Sequence, residues 1–388
     1  MTVVVIGDVV TDILTVHEGA LAIGSDTIAR VRIAGGGSAA NTAAWLAAAG
    51  CPVVFAGVAG DDEPGDARIA EMRAAGVTTS VRRVTGAATG TVVVLTSDAE
   101  RTMFTDRGAN RLLDRSDVDR ALDLPGVRHL HLSAYVLFDP DCAPAGRYAL
   151  AEARRRGLTT SLDAASAAPL EQLGGREFLA AIPRPGILFA NLDEARVIAP
   201  APPTPTAAAP TPGRAEASTP TPATPTAGFP TTATPPAATP TVGNPSAATP
   251  TVGAPTTDAP TTVTPTAGTP KASTQTTDAP TAATPMTATP TAEAAAPTEC
   301  ERLAKALLAH ADAAVVKSGP GGAAWADPDR SAHAPGVRVT QVIDPTGAGD
   351  AFAAGFLAAW LGGADPETAL RRGNELGADA VTRLGGRP

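Results

Sequence analysis

The chain has 388 residues, 44% hydrophobic and 18% charged, with 30 Lys and Arg against 39 Asp and Glu for a formal charge of −9. Hydrophobic residues gathered in periodic segments exclude a chain that is disordered throughout, and no apolar run of about 18 residues offers a membrane span. The basic residues are scattered and form no stripe that would follow a phosphate backbone, so neither nucleic acid nor membrane is expected as a partner.

Val3 to Gly7 reads as a buried strand, and Met1 runs into it with no basic segment or cleavage site, which predicts a cytoplasmic protein. Short β-branched runs then alternate with Ala-rich stretches of helical period: Ser38 to Ala49, Val53 to Gly57, Pro64 to Ala75, Val127 to Ser133, Ala143 to Arg156 and Leu158 to Asp163. This alternation predicts an α/β fold, a doubly wound, mostly parallel sheet with helices on both faces. Residues 26–34 and 90–106 break the rhythm. They read as strands without helices between them, the second a hairpin turning at Ser97 to Glu100, and predict a small β-sheet lid.

From Pro200 to Pro297 the composition changes: 23 of the 37 prolines lie there, in a degenerate five-residue register filled with Thr and Ala. Proline removes a backbone donor at each repeat, so neither helix nor paired strand is expected. Residues 200–298 therefore read as a disordered low-complexity insertion, and residues 1–199 and 299–388 as one domain. A helix over Glu301 to His310 resumes the regular pattern. Cys51, Cys142 and Cys300 form no metal-ligand or disulfide pattern, and the five histidines have no ligand spacing. Trp45, Trp325 and Trp360 read as packing residues, and Arg107 as a solvated lid residue.

Two segments carry chemistry. Asp344-Pro345-Thr346-Gly347-Ala348-Gly349-Asp350 opens a helix running to about Leu361, and glycines at a helix start point amides and the positive dipole end at anionic oxygens. Asp350 beside such an anion hole can hold a hydroxyl nucleophile against a phosphoryl group, as an ordinary carboxylate ionised at neutral pH. Gly35-Gly36-Gly37-Ser38-Ala39-Ala40-Asn41 also reads as glycines opening a helix, with Asn41 able to donate to and accept from a polyol. Each segment alone is equally well a turn with a polar helix start. Neither fits a P-loop or a dinucleotide-binding turn.

Together and in this order, the two segments resemble the signatures of the ribokinase-like carbohydrate kinases, the PfkB family. Gly7-Asp8 followed by Asp12, Gly60-Asp61-Asp62 with Gly65, Ala75-Gly76-Val77, Thr89-Gly90, Thr102 with Gly108-Ala109-Asn110, Asn191-Leu192-Asp193-Glu194, Lys317-Ser318-Gly319 with Gly322, and Asn374 with Val381-Thr382-Arg383 and Gly385 extend the likeness over nearly all the chain outside the insertion. Ser38 departs from typical ribokinases, which carry Lys there, and this counts against ribose.

The resemblance implies a ribokinase-like three-layer fold with a β-sheet lid, and a kinase that moves the γ-phosphate of ATP to a primary hydroxyl of a small sugar or sugar-like acceptor. It implies Asp350 as base, with Gly347, Ala348 and Gly349 as anion hole. Asp12, Gly36, Gly37 and Asn41 would hold the acceptor, and Asn191, Glu194, Lys317, Gly319, Gly322 and Asn374 the nucleotide. Glu194 would help place Mg2+ through water, and Asp344 with Thr346 a monovalent cation, K+, in members that use one. A homodimer through the lid belongs to the same set of expectations. A nucleoside kinase of adenosine type is the alternative enzyme, and a non-catalytic sugar-binding or scaffolding relative the alternative from another class.

Overall fold

The computed structural model describes residues 1–97, 100–199 and 298–388; the proline-rich stretch and the Asp98-Ala99 turn of the expected hairpin lie outside the described residues. The strands are β1 (Thr2–Ile6), β2 (Val10–His17), β3 (Ala29–Gly36), β4 (Val53–Gly60), β5 (Thr78–Val84), β6 (Gly90–Ser97), β7 (Glu100–Asp106), β8 (Val127–Ser133), β9 (Thr159–Asp163), β10 (Ile187–Asn191), β11 (Ala313–Lys317), β12 (Ala323–Ala326) and β13 (Ser331–Ala334). The helices are α1 (Ser38–Ala48), α2 (Glu63–Ala74), α3 (Arg115–Leu122), α4 (Tyr135–Phe138), α5 (Ala143–Arg155), α6 (Ala167–Leu173), α7 (Gly175–Ala180), α8 (Leu192–Ile198), α9 (Glu299–Leu307), α10 (Ala348–Leu361) and α11 (Pro366–Ala380).

Nine strands form one sheet in the order β13-β12-β11-β10-β9-β8-β1-β4-β5, parallel from β11 to β5, with β12 and β13 added antiparallel. The chain winds from β1 outward through β4 and β5, then returns to β8 on the other side of β1. That reversal leaves a crevice beyond the carboxyl ends of β1 and β8, where open α/β sheets bind ligands. Alternation along β1 sends Val4 and Ile6 into one buried cluster and Val3 and Val5 into the other, so the sheet has a core on each face. Ala-rich α1 is mostly buried, and α10 is buried over Ala351 to Leu357; both pack on the same face, where Trp325, Phe356 and Trp360 stack as packing residues.

A second sheet of four strands, β3-β2-β6-β7, makes the lid. Its inner face buries Val10, Leu14, Val92 and Val94 against Ala34 and Leu384. Two details differ from the sequence reading. Strand β2 joins the lid between β3 and β6, an element that the sequence reading did not assign. Strand β3 runs through Gly36, so Gly35 and Gly36 are strand residues and Gly37 alone caps α1, at a left-handed φ of 96°.

His129 and His131 lie in the sheet with no exposure. His129 contacts Thr159 Oγ1 and Ser161 Oγ at 2.8 Å, and His131 reaches the same Ser161 oxygen at 2.8 Å. Burial holds the His129 ring at about 3 and the His131 ring at about 4, so both are neutral in the fold. An unfolded imidazole takes a proton near ~6.5, so the unfolded chain binds more protons below that pH, and stability falls as the pH drops toward about 4. The expected outcome is a lower urea midpoint at pH 5 than at pH 7, and a smaller drop in His131→Leu, where one titrating ring is gone. An equal drop in both proteins would show that the ring is protonated in the fold.

Candidate active site

Parallel strands deliver side chains to the crevice from their carboxyl ends. Ser133 ends β8, Asp163 ends β9, Asn191 ends β10 and Lys317 ends β11. Helix α10 starts over them because Gly347, its cap, takes a left-handed φ of 77° and lies against Gly386, where a β-carbon would overlap the backbone.

Asp350 stands in the first turn of α10. Ser38 Oγ donates to its Oδ1 at 2.8 Å, and Asn41 Nδ2 donates to its Oδ2 at 3.0 Å from 309 positions away in the chain. Ser133 Oγ donates to Ser38 Oγ at 3.3 Å, so a hydroxyl chain from β8 steadies the carboxyl. Burial, and then the Asp163 carboxylate, push Asp350 up to about 7, against the lowering effect of Asn41, Ser38 and Lys317. This corrects the expectation of an ordinary ionised aspartate: the helix dipole favours charge there, but desolvation beside a second carboxylate outweighs it.

On one side of Asp350 lies the glycine segment. The Asp12 carboxyl sits over Gly36, where a β-carbon would overlap it, and burial raises it to about 6 although Arg387 and Arg68 pull it down. Asn41 Oδ1 accepts from Arg387 Nε at 3.3 Å, and Trp45 Nε1 donates to the Gly386 carbonyl at 3.0 Å. The segment 384–387 thus closes over α1. Asp344 fixes it there, accepting from Thr346 N at 2.8 Å and from Gly385 N at 2.9 Å.

On the other side, Lys317 Nζ pairs with Asp163 at 2.8 Å, and Asp163, Glu194 and Asp350 keep it protonated against the burial that would lower it. Its ammonium also faces Gly349, 3.3 Å from where a β-carbon would stand. Asn191 and Glu194 form a capping box on α8: Asn191 N and Nδ2 donate to the two Glu194 oxygens at 2.8 and 2.7 Å, and Glu194 N returns a bond to Asn191 Oδ1 at 2.9 Å. Glu194 is 3% exposed, and burial with the nearby Asp163 raises its carboxyl.

Asp350 and Asn41 are therefore joined directly, Asp12 is linked to them through Gly36 and Arg387, and Lys317 and Glu194 adjoin through Asp163. Asn374 is set apart from this cluster in its bonding, donating to the Ala334 and Pro335 carbonyls at 3.1 and 3.0 Å. Gly319 and Gly322 bound a tight turn at left-handed φ of 53° and 87°. The Ala348 amide is turned to the Pro345 carbonyl at 3.3 Å, which leaves Gly347 and Gly349 as the better-placed amides of the expected anion hole. Arg107 is no solvated residue: its side chain is 14% exposed and clasps both Asp8 oxygens, at 2.9 and 2.7 Å. Sequence reasoning missed Asp163, Ser38 as a partner of Asp350, Arg68 and Arg387. Asp163 carried a usable signal, since it ends a predicted parallel strand, where such sheets place functional groups; the arginines carried none.

The sequence pattern of the pfkB family carbohydrate kinases matches residues 1–212 and 283–388. An ATP-dependent ribose-1-phosphate kinase of Halopiger xanaduensis is 31% identical over 170 residues, 43% of this chain and 53% of that protein. A nucleoside kinase of Methanocaldococcus jannaschii is 42% identical over 60 residues, 16% of this chain and 20% of that protein. The chain thus matches about half the length of the first relative and a fifth of the second. Among solved structures, adenosine kinase from Sinorhizobium meliloti has a TM-score of 0.66 at 19% identity, covering 100% of this chain and 95% of that one. A putative ribokinase II from E. coli has a TM-score of 0.65 at 18% identity, covering 99% and 94%. These likenesses bear out the three-layer fold with its lid, and with the match along both halves of the sequence they establish that the chain belongs to the pfkB family of carbohydrate kinases.

Proposed function

We propose that the protein is an ATP-dependent kinase that phosphorylates a hydroxyl of a small sugar or sugar-like acceptor. The observation that carries this reading is the Asp350 carboxyl, where both glycine signatures meet through Ser38 and Asn41 at the mouth of the crevice. A hydroxyl placed on ionised Asp350 loses its proton to that carboxylate as its oxygen bonds to the γ-phosphorus and the bond to the ADP oxygen breaks. The Gly347 and Gly349 amides would take the charge that builds on the transferring oxygens, with the Lys317 ammonium beside Gly349. Asp12 and Asn41 would orient the acceptor, and Asn191, Gly319, Gly322 and Asn374 would border the nucleotide.

Magnesium fits this site through water. Both Glu194 oxygens already accept from Asn191, and Asp163, Glu194 and Asp350 crowd three carboxyls around one lysine, an excess of negative charge that a cation relieves. Bound to the nucleotide phosphates, the ion would draw charge from the leaving group. Asp344 and Thr346 would hold a monovalent cation, each Asp344 oxygen keeping a lone pair beyond its amide bond. The similarity to a nucleoside kinase supports a nucleoside acceptor as the second reading. An intact base speaks against a binding-only relative.

We assign residues 1–199 and 299–388 to the kinase domain and 200–298 to an insertion, supported by the family match on both sides of residues 213–282. The outer face of the lid supports a homodimer. Cross-strand register aligns Ile33, Ile13, Val93 and Phe104 in one apolar row, with Ile33 66% and Phe104 57% exposed.

The test of the base is Asp350→Asn in an ATP-consumption screen over pentoses, hexoses, sugar acids, sugar phosphates and nucleosides. Turnover should fall by roughly 10²- to 10⁴-fold while ATP affinity measured by calorimetry stays near wild type. Retention of more than about a tenth of the activity would remove Asp350 from the role.

A second test uses pH. Only the ionised carboxylate can accept a proton, so with Asp350 raised to about 7, kcat/KM should fall as the pH drops through neutrality. Asp163→Asn removes the charge that helps raise Asp350, so the acid limb should move to lower pH. An unmoved limb would show that a different group controls it.

A further inference from the structure

The acceptor side of the crevice is closed by two guanidiniums that neither glycine signature supplies. Arg387, with its side chain 14% exposed, donates to the Gly36 carbonyl at 2.9 Å and to Asn41 Oδ1 at 3.3 Å, and pairs with Glu71 at 3.3 Å. Arg68, 6% exposed, donates to Thr11 Oγ1 at 3.3 Å and to the Ala34 carbonyl at 3.1 Å, and pairs with the other Glu71 oxygen. Its Nε is buried with no hydrogen-bond partner among the described residues. Gly35 makes room for this arrangement, since a β-carbon there would overlap both Arg387 and Glu71.

Two guanidiniums, fixed cations, here face the half-exposed Glu71 carboxylate and the Asp12 carboxyl, which burial raises to about 6 and which stays largely ionised at neutral pH. Burial and the neighbouring Arg68 lower Arg387 to about 10, while Glu71 and Asp12 support its charge. A buried guanidinium donor without a partner, beside a second guanidinium, is satisfied by an entering anion. The position suits a small molecule. Asn41 bonds Asp350 with its Nδ2 and Arg387 with its Oδ1, so a single carboxamide separates the proposed base from the guanidinium.

We propose that the acceptor carries an anionic substituent, a phosphate or a carboxylate, remote from the hydroxyl that is phosphorylated, and that Arg387 backed by Arg68 binds it. The proposal rests on the reading of Asp350 as the base of this site. It names Arg387 as the residue that discriminates a charged acceptor from a neutral one of the same size.

Ribose, ribose 1-phosphate and ribonate, a neutral, a phosphorylated and a carboxylated probe, are compared by calorimetry without ATP and by steady-state kinetics with it. The proteins are wild type, Arg387→Gln and Arg387→Lys, each with its circular dichroism melt. Wild type should prefer one of the anionic probes to ribose, and which one separates phosphate from carboxylate recognition. In Arg387→Gln the ratio of kcat/KM for that probe over ribose should fall by about 10- to 100-fold with the KM for ATP unchanged, and Arg387→Lys should restore part of it. Equal losses for charged and neutral probes, or faster turnover of all three, would overturn the proposal, the latter by showing that Arg387 guards the pocket against acceptors. So would the absence of anion preference in wild type in both assays. Arg387-dependent binding of an anionic probe without phosphorylation would uphold the anion subsite and sink the kinase reading instead.

Discussion

Three acidic side chains, the buried Asp163 and Glu194 and the partly buried Asp350, surround one ammonium, Lys317, and most of the site's properties follow from that imbalance. Removing a carboxylate from water is costly unless a partner compensates it, and one lysine cannot compensate three. Hydrogen bonds from Ser38, Asn41 and Asn191 reach the carboxyls directly, and burial, with the Asp163 charge second to it, raises Asp350 and Glu194. A carboxyl raised into the neutral range is a stronger base when ionised than an ordinary aspartate.

Sheet topology makes the imbalance possible. Asp163, Asn191 and Lys317 arrive on three adjacent parallel strands, β9, β10 and β11, whose register fixes their spacing without any loop having to hold them. Glu194 follows on the first turn of the helix after β10, and Asp350 on the first turn of α10 above them. The capping box that makes Asn191 and Glu194 look like a structural motif is the same feature that anchors Glu194 against the cluster. Local stability and site geometry are therefore one set of hydrogen bonds at this point.

What could be read in the sequence follows the range of the forces involved. Strand and helix periods are local, so the alternation, the extra strands of the lid and the helices that open at Ser38 and Ala348 were legible, as were the two glycine signatures. The place of β2 was not, because Val10 to His17 has the same apolar look whether it extends β1 or starts another sheet; its partners, Gly36 and Gly90, are distant in the chain. The state of Asp350 was hidden for a similar reason. Its helix position predicts a lowered pKa, and only the neighbours brought by other elements reverse the sign. Arg107 reads as a lid residue from its position after β7, but its partner Asp8 lies 99 positions away.

The lid and the acceptor side of the crevice are mechanically continuous. Asp12 lies on β2 opposite Ala34, one register step from the glycines of β3, and the inner face of the same lid buries Leu14, Val92 and Val94 against Leu384. Leu384 begins the segment whose Gly385 is tied to Asp344, whose Gly386 rests on Trp45 and Gly347, and whose Arg387 reaches Asn41. A shift of the lid cannot leave this segment in place, because close packing transmits displacement. Contacts thus run without a break from Asp12 and Leu14 on β2 through Leu384 and Arg387 to Asn41, which donates to Asp350. The lid rests on few buried apolar residues compared with the two large cores of the main sheet, so it is the less strongly held part of the fold, while Asp163 ends a strand of the main sheet and Glu194 and Asp350 open helices packed on it.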